Sequence, residues 1–263
     1  FAGGKGLNQA VAIHRAGGDV TFQFAVGDDD DGGFLTNFLS EQKVVFSRIL
    51  DSGTATSKAF ILVDQDGENQ IAVVPGANYS PKLREQSFQE GPGLLVLQLE
   101  IGNENNLVVA ALAKKAGWKV VLTPAPSSEF DPKLLEFVDI ITLNETEVTQ
   151  LVGATDFESA GAELSKLVGL VFVTRGAQGV SVFADGQFLG NVDAMAVDAI
   201  DATGAGDTFC GYAVAGLAQG LTPLEAAELG TVAAGISVQS RGASNSIPSR
   251  HEVDSLMLKR RKG

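Results

Sequence analysis

The sequence predicts an α/β fold with a mostly parallel central sheet that helices cover on both faces. Short, almost continuously apolar runs, namely LLVLQL (94–99), VDIITL (138–143) and LVFVT (170–174), alternate with helical stretches. Strands that are apolar on both sides are typical of parallel sheets buried between helices. The chain has 263 residues, 44% of them hydrophobic, which suits one large domain spanning residues 1–263.

Periodicity and turn residues place the elements of the first half of the chain. Residues 8–16 form a helix that a Gly-Gly pair ends, and residues 34–42 form a second helix. Between them, VTFQFAV (20–26) alternates apolar and polar positions, as a strand does. In residues 57–74 two β-rich runs flank Asp66-Gly67, a strong hairpin signal. This hairpin does not fit the alternation of strands and helices, so we interpret it as a separate flap.

The second half of the chain continues the alternation and ends in helices. The predicted strands are the three apolar runs above, KVVLT (119–123), and the hairpin VSVFADGQFLGNV (180–192). The predicted helices are 105–116, a short one at 134–137, 158–168, and three closing helices near 205–219, 223–239 and 252–259.

Charge and cysteine content narrow the classes of partner. A formal net charge of −13 argues against nucleic acid or an anionic membrane, because both need a basic surface. The sequence contains no run of about 18 apolar residues, so it does not predict a membrane span. The single cysteine, Cys210, excludes an internal disulfide and fits a reducing compartment, so we expect a cytoplasmic protein. His14 and His251 have no metal-ligand spacing.

The motif DATGAGDTF (201–209) carries the clearest chemical signal. A turn of Gly204, Ala205 and Gly206 entering a helix leaves the first amide groups unpaired, and these favour an anion. Asp207 then has two interpretations. It either caps the helix, or accepts a proton from a substrate hydroxyl while the amides hold a transferring phosphoryl group. The sequence contains no Walker loop, no G-x-G-x-x-G and no G-x-S-x-G motif.

Motifs along essentially the whole chain resemble those of one family. They are GGKGLNQAVA, GENQIAVVPGAN, TPAPSS, DIITLNETE, TRGAQGV, DATGAGDTF and RGASNSIPS, in that order. Together they resemble the ribokinase-like (PfkB-type) carbohydrate kinases. The resemblance implies a three-layer αβα sandwich with a small β-strand lid, of which residues 57–75 are part. It also implies that a first strand, with an Asn-x-Asp sugar-binding element, and half of the lid precede Phe1, so we expect the natural amino terminus to lie upstream.

The resemblance assigns roles at the sugar and phosphoryl sites. It implies that Asp207 is the catalytic base and that the amides of Ala205, Gly206 and Asp207 form the anion hole. Gly204, which begins this turn, is counted with the catalytic residues. It further implies that sugar hydroxyls are bound by Gly4, Lys5, Asn8, Glu100 and Asp207.

For the nucleotide, the resemblance implies ATP with Mg²⁺. Asn144 and Glu147 lie one helical turn apart and would face the phosphates, with Mg²⁺ held largely through water. Asn144 also fits a helix cap, and the two roles are compatible. The nucleotide-binding residues implied are Asn144, Glu147, Thr174, Gly176, Gly179, Gly206 and Thr231.

The family also suggests an activating monovalent cation, K⁺. Its ligand positions match the Asp201 carboxylate, the carbonyls of Thr203, Ser237, Ser240 and Gly242, and the Ser246 hydroxyl. Several oxygens with one formal charge suit a large, weakly hydrated ion. The alternative is that Asp201 and Ser246 only tie loops together.

The implied activity is transfer of phosphate from ATP to the 5-hydroxyl of D-ribose. Two alternatives stay open: another kinase of the family acting on deoxyribose, a ketosugar acid or a nucleoside, and a non-catalytic sugar-binding or nucleotide-binding protein. The apolar runs of the 57–74 hairpin would need a cover, so we expect a homodimer formed through the lid.

Overall fold

The computed structural model describes residues 1–63, 69–127 and 130–260. Its helices are α1 (Lys5–Arg15), α2 (Asp30–Glu41), α3 (Asn103–Lys115), α4 (Glu145–Val152), α5 (Phe157–Val168), α6 (Ala205–Ala218), α7 (Pro223–Ser237) and α8 (Arg250–Arg260). Its strands are β1 (Thr21–Val26), β2 (Val45–Leu50), β3 (Lys58–Val63), β4 (Asn69–Val74), β5 (Leu94–Gln98), β6 (Lys119–Thr123), β7 (Ile140–Asn144), β8 (Leu170–Thr174), β9 (Val180–Ala184) and β10 (Gln187–Val192).

A six-stranded sheet forms the centre of the fold, in the order β10-β9-β8-β7-β6-β5. Strands β5 to β8 pair in parallel, and β9 and β10 add two antiparallel strands at one edge. The predicted α/β class with a mostly parallel sheet is therefore confirmed. In such a sheet the carboxyl ends of the parallel strands meet at one edge, which is where α/β proteins build their sites.

The side chains of successive strand residues pack into two different hydrophobic cores, one on each face of the sheet. The structure therefore has three layers, with the sheet between two layers of helices. On β6, Val121 packs into a cluster with α1, α6 and α7, whereas Val120 and Leu122 pack with α3 and α5. All three side chains are fully buried. Burial on both faces explains why these strands appear in the sequence as continuous apolar runs.

The other four described strands form two small sheets that are not hydrogen-bonded to the central one. Strands β1 and β2 pair in parallel, and β3 and β4 pair antiparallel, with Lys58 opposite Val74. The turn Asp66-Gly67 that we predicted for this hairpin lies outside the described residues. Strand β2 is not predicted from the sequence, because it is mostly exposed and contains Ser47 and Arg48 instead of an apolar run.

Helix α2 begins earlier than periodicity predicts, because a polar side chain caps it. Helix α2 starts at Asp30, not at residue 34, since the Asp29 side chain accepts a hydrogen bond from Gly32 N (2.9 Å). Residues 132–136 form a 3₁₀ turn instead of a short α-helix. No helix within the described ranges has both the length and the apolarity that crossing a membrane requires.

Helices α1 and α6 touch closely, and this contact builds the site. A Cβ atom at Gly211 on α6 would lie 2.4 Å from Ala12 Cβ and 2.9 Å from Gln9 O, both on α1. Only glycine allows the two backbones to come this near. The close packing carries the first turns of α1 to the start of α6.

Candidate active site

The start of α6 presents free amides at the edge of the sheet. Gly204 caps the helix with a left-handed backbone (φ 75°), and a Cβ there would lie 3.0 Å from Ala243 Cβ. Ala205 N donates to Ala202 O (3.1 Å), so this predicted anion-hole amide is already engaged. Among the described residues, the amides of Gly206 and Asp207 have no backbone acceptor. These two amides and the helix dipole therefore favour an anion here.

Asp207 is buried and held by two side-chain amides from α1. Its Oδ2 accepts from Asn8 Nδ2 (2.9 Å) and its Oδ1 accepts from Gln9 Nε2 (3.0 Å). Burial raises the pKa of this carboxyl above its usual range, while the charge of Lys5 and the two amide hydrogen bonds oppose that shift. A carboxylate whose pKa is raised in this way is suited to accept a proton.

Beside Asp207 the structure brings together the predicted sugar-binding residues. Lys5 N donates to Glu100 Oε2 (2.8 Å), and Gly4 is the N-cap residue of α1. Burial raises the pKa of Glu100, and the hydrogen bond from the Lys5 amide opposes this. Asn8 Oδ1 is buried and has no partner within the described chain, so it is an acceptor that a hydroxyl could use. Gly4, Lys5, Asn8 and Glu100 line one large cavity of about 3530 Å³, which also extends along β1 and β5.

A second, smaller pocket of about 250 Å³ shares Lys5 with this cavity. We name it the phosphate-side pocket after the residues predicted to face the nucleotide phosphates, which line it. Of the residues predicted from the sequence, it is lined by Lys5, Asn144, Glu147, Thr174, Gly204, Gly206 and Asp207. Asn144 and Thr174 end the neighbouring strands β7 and β8, and Gly206 lies in the first turn of α6. The carboxyl ends of the strands thus face the free amides of α6.

The other predicted nucleotide residues do not line this pocket. Gly176 and Gly179 belong to a turn that follows β8, where Arg175 N donates to Gly179 O (2.7 Å). Thr231 lies on α7, is buried, and its hydroxyl has no partner within the described ranges. Their role in nucleotide binding stays a prediction.

The element predicted to hold Mg²⁺ is also a complete helix cap. Asn144 Oδ1 accepts from Glu147 N, and Glu147 Oε2 accepts from Asn144 N, both at 2.8 Å. The described residues contain no cluster of three or more His, Cys, Asp or Glu side chains able to hold a metal. The chemistry of Glu147, a single carboxylate beside the predicted phosphate position, fits a cation held mainly by phosphates and water.

The residues predicted for K⁺ lie in two segments that the structure joins. Asp201 Oδ1 accepts from Thr203 N and Oδ2 accepts from Gly242 N, each at 2.9 Å. The Gly242 bond, followed by those of Thr203, lowers the pKa of Asp201, which stays ionised. Ser237 O accepts from Ser240 N (3.2 Å), and the Ser246 hydroxyl donates to Ala243 O (3.0 Å). Asp201 therefore ties the two segments together, as the alternative interpretation expects, and the single carboxylate here has the charge that suits a monovalent cation. Cation binding by these residues stays a prediction.

The structure adds site residues to which the sequence analysis assigns no role. Thr123 and Thr142 line the phosphate-side pocket, and Gln9 contacts Asp207 directly. Gln98 contacts Gln9. Thr123 and Gln98 are the last residues of their strands, so a search for polar residues at strand ends would have found both.

Three comparisons with known proteins, by family model, by sequence and by structure, agree with one another. A family model described as pfkB family carbohydrate kinase matches residues 1–250. A ribokinase from Haemophilus influenzae is 39% identical over 262 residues, which are 95% of this chain and 85% of the relative. The structure of Arabidopsis thaliana ribokinase complexed with ribose and ATP matches with a TM-score of 0.84 at 30% identity, covering 97% of this chain and 87% of that one.

A more distant solved structure is similar as well. It is a double mutant of fructokinase from Vibrio cholerae in fructose, ADP and potassium ion bound form. It matches with a TM-score of 0.83 at 25% identity, covering 96% of this chain and 89% of that chain.

Proposed function

Because the chain belongs to the pfkB family of carbohydrate kinases, we propose that it transfers the γ-phosphoryl group of ATP to the 5-hydroxyl of D-ribose. The family resemblance drawn from the motifs is confirmed, and the chain is an ATP-dependent sugar kinase. Ribose as the substrate is supported by the ribokinases among its relatives, one of them solved with ribose and ATP.

One observation carries the proposal: a buried carboxylate, Asp207, stands at a helix start with open amides. In this mechanism Asp207 orients the sugar hydroxyl and accepts its proton as the phosphorus–oxygen bond forms. The amides of Gly206 and Asp207 face the charge that develops on the transferring phosphoryl group. The transition state of phosphoryl transfer is loose, so positioning and charge stabilisation do most of the work.

The sugar is held by Gly4, Lys5, Asn8 and Glu100 in this proposal. Asn8 has a carbonyl oxygen free to accept a hydroxyl, and the buried Glu100 offers a carboxylate beside the Lys5 amide. On the other side, the nucleotide is held by Asn144, Glu147, Thr174, Gly176, Gly179 and Thr231. Mg²⁺, bound with ATP, would neutralise phosphate charge. Glu147, which lines the phosphate-side pocket together with the proposed base Asp207, could hold the ion through water.

Two further features belong to the proposal. K⁺ held by the segments 201–203 and 237–246 would stiffen the turn that Gly204 begins, and the fructokinase solved with a potassium ion supports this. Residues 57–75 would serve as a lid over the sugar within a single domain, and a second subunit would cover it. We further propose a cytoplasmic location, in keeping with the single buried cysteine.

The test is ADP release by the protein with ATP, Mg²⁺ and K⁺ across a panel of sugars. The panel contains D-ribose, deoxyribose, fructose, a ketosugar acid and a nucleoside. We expect the highest kcat/KM with ribose. Turnover with another member and not with ribose would reject the substrate but keep the kinase. Sugar or nucleotide binding without any turnover would indicate a non-catalytic binding protein.

A further inference from the structure

Gln9 is a buried polar side chain that no step of the proposed reaction uses. Only 1% of it is exposed, yet it lies against the proposed base. Its Nε2 donates to Asp207 Oδ1 (3.0 Å) and to Thr123 Oγ1 (3.3 Å), and its Oε1 accepts from Gln98 Nε2 (2.5 Å). Both ends of the amide are therefore engaged by protein groups.

The orientation of this amide follows from hydrogen-bond chemistry. An ionised carboxylate only accepts, so Gln9 must turn its NH₂ group toward Asp207. Its carbonyl oxygen then faces the opposite side, where it needs a donor, because an unpaired buried acceptor is costly. Gln98 at the end of β5 supplies that donor, and Asn106 Nδ2 of α3 in turn donates to the Gln98 backbone carbonyl (2.8 Å).

We propose that Gln9, oriented by Gln98, is a positioning residue that fixes the rotation of the Asp207 carboxylate toward the sugar hydroxyl. This inference rests on the proposed kinase function. The two donors, Asn8 on Oδ2 and Gln9 on Oδ1, hold the carboxylate plane from both oxygens. We call these two hydrogen bonds the clamp. Each carboxylate oxygen keeps a second lone pair, so the clamp leaves the base able to accept a proton.

Asn8 and Gln9 differ in what they offer the substrate. Asn8 has a carbonyl oxygen without a partner in the described chain, whereas the amide of Gln9 is engaged at both ends by protein groups. Loss of Asn8 should therefore weaken sugar binding as well as turnover. Loss of Gln9 should act on turnover far more than on KM, because both ends of its amide are already bonded to protein groups, one of them the proposed base Asp207.

A pH profile can detect the clamp. The titratable groups around Asp207 are Lys5 of α1, Glu100 in the turn after β5, and Cys210 one turn further along α6. Against the upward effect of burial, the hydrogen bond from Gln9 lowers the pKa of Asp207. Without that bond the pKa of Asp207 rises further, so the ionised base is lost at a higher pH.

The experiment compares Gln9→Met with the wild type. Methionine is close to glutamine in length and volume but cannot donate to the carboxylate. We expect kcat to fall by about 10-fold to 100-fold, with KM for ribose changed less than about threefold. We also expect the acid limb of the pH profile to move up by about one unit. Ser165→Ala on α5 is the control, since it also removes buried hydrogen bonds but on the other face of the sheet.

Gln98→Met tests the same series of hydrogen bonds, from Gln98 through Gln9 to Asp207, at its other end. It replaces Gln9→Met if that variant does not fold. It should shift kcat and the acid limb in the same direction by a smaller amount. A rise in KM at constant kcat would overturn the proposal, because it would make Gln9 a sugar contact. Unchanged kcat and acid limb in both variants, with a lower Tm, would overturn it in favour of a purely structural role.

A direct titration separates this inference from the proposed function. If the wild type shows no turnover with any sugar, the proposed function fails, and the carboxyl carbon of Asp207 is then titrated by ¹³C NMR. A higher pKa of Asp207 in Gln9→Met and Gln98→Met than in the wild type would support the clamp. An equal pKa in all three proteins would overturn it.

Discussion

Asn8 Nδ2 donates a 2.9 Å hydrogen bond to Asp207 Oδ2, joining residues 199 positions apart in the sequence. The bond exists because α1 packs directly on α6 at Gly211, where a side chain would strike Ala12. It connects the first turn of the helix that bears the proposed sugar contacts to the proposed base. The sugar and phosphoryl sites are thus two sides of one helix–helix contact.

The pH dependence of the reaction should reveal the raised pKa of Asp207. The base must be ionised, so activity declines about tenfold per pH unit below its pKa and increases as the pH rises through it. Since burial raises this pKa, the acid limb of kcat/KM should lie above the ordinary value for aspartate, about 3.9. The measurement is kcat/KM for ribose from about pH 4 to 8 in buffers of constant ionic strength.

Glu100 is the matched control for that profile, because burial raises its pKa too. Glu100→Gln should raise KM for ribose while the acid limb stays in place. If the limb disappears in Glu100→Gln, the titrating group is Glu100, and Asp207 is not the base that limits the rate.

Replacement by alanine of the two glycines at the start of α6, Gly206 and Gly204, should change thermal stability in opposite directions. A Cβ atom at Gly206 would meet no neighbouring atom within 4 Å, so Gly206→Ala should fold and gain up to about 1 kcal/mol of helix propensity. Its methyl group would occupy the space where the phosphoryl group approaches, so kcat should fall by about 10-fold or more. Thermal unfolding and ADP release measure the two effects.

Gly204→Ala is the companion variant. At φ 75° an alanine costs about 1–2 kcal/mol, and its Cβ would press on Ala243. We expect a lower Tm together with lower activity. Equal losses of Tm in the two variants would contradict the distinction between a ligand-facing and a packed glycine.

The proposed K⁺ site predicts an activation that depends on Asp201. Activity with KCl should exceed activity with LiCl at equal ionic strength, because Li⁺ is small and strongly hydrated. Asp201→Ala should abolish this difference and leave a low basal rate. Equal dependence on K⁺ in Asp201→Ala and the wild type would place the activating cation elsewhere.

The proposed homodimer can be tested through the lid strands. Phe60 and Val73 expose more than half of their surface on β3 and β4, and such apolar strands favour a partner. Light scattering at micromolar concentration should give twice the chain mass of 27.3 kDa. Phe60→Asp should convert the dimer to a monomer, and a monomeric wild type would contradict the proposal.

The sequence predicts best what depends on local burial. Strands β6 and β8 have the bounds predicted for them, because successive residues such as Val171 and Phe172 are buried on opposite faces of the sheet. The sequence does not predict strand β2, because its exposed residues leave no apolar pattern. Periodicity places the start of α2 too late, because the cap comes from Asp29, which lies outside the apolar period.

The motifs predict most of the site, and the role they do not predict is one that depends on contacts between distant residues. Asp207 and Asn8 belong to two quoted motifs near opposite ends of the chain. Gln9 lies in the same motif as Asn8, but its role depends on Gln98, 89 residues away. A contact of that kind depends on the packing of α1 against the end of β5, and only the three-dimensional structure shows it.

Replacement of Asp207 tests the central claim most directly. ADP release with saturating ribose is measured for Asp207→Asn and for the surface control Asp254→Asn, and ATP affinity is measured by calorimetry. We predict that Asp207→Asn lowers kcat at least ~100-fold with ATP affinity nearly unchanged, while Asp254→Asn behaves as the wild type. Ribose-dependent turnover within a few-fold of the wild type in Asp207→Asn would contradict the assignment of Asp207 as the base.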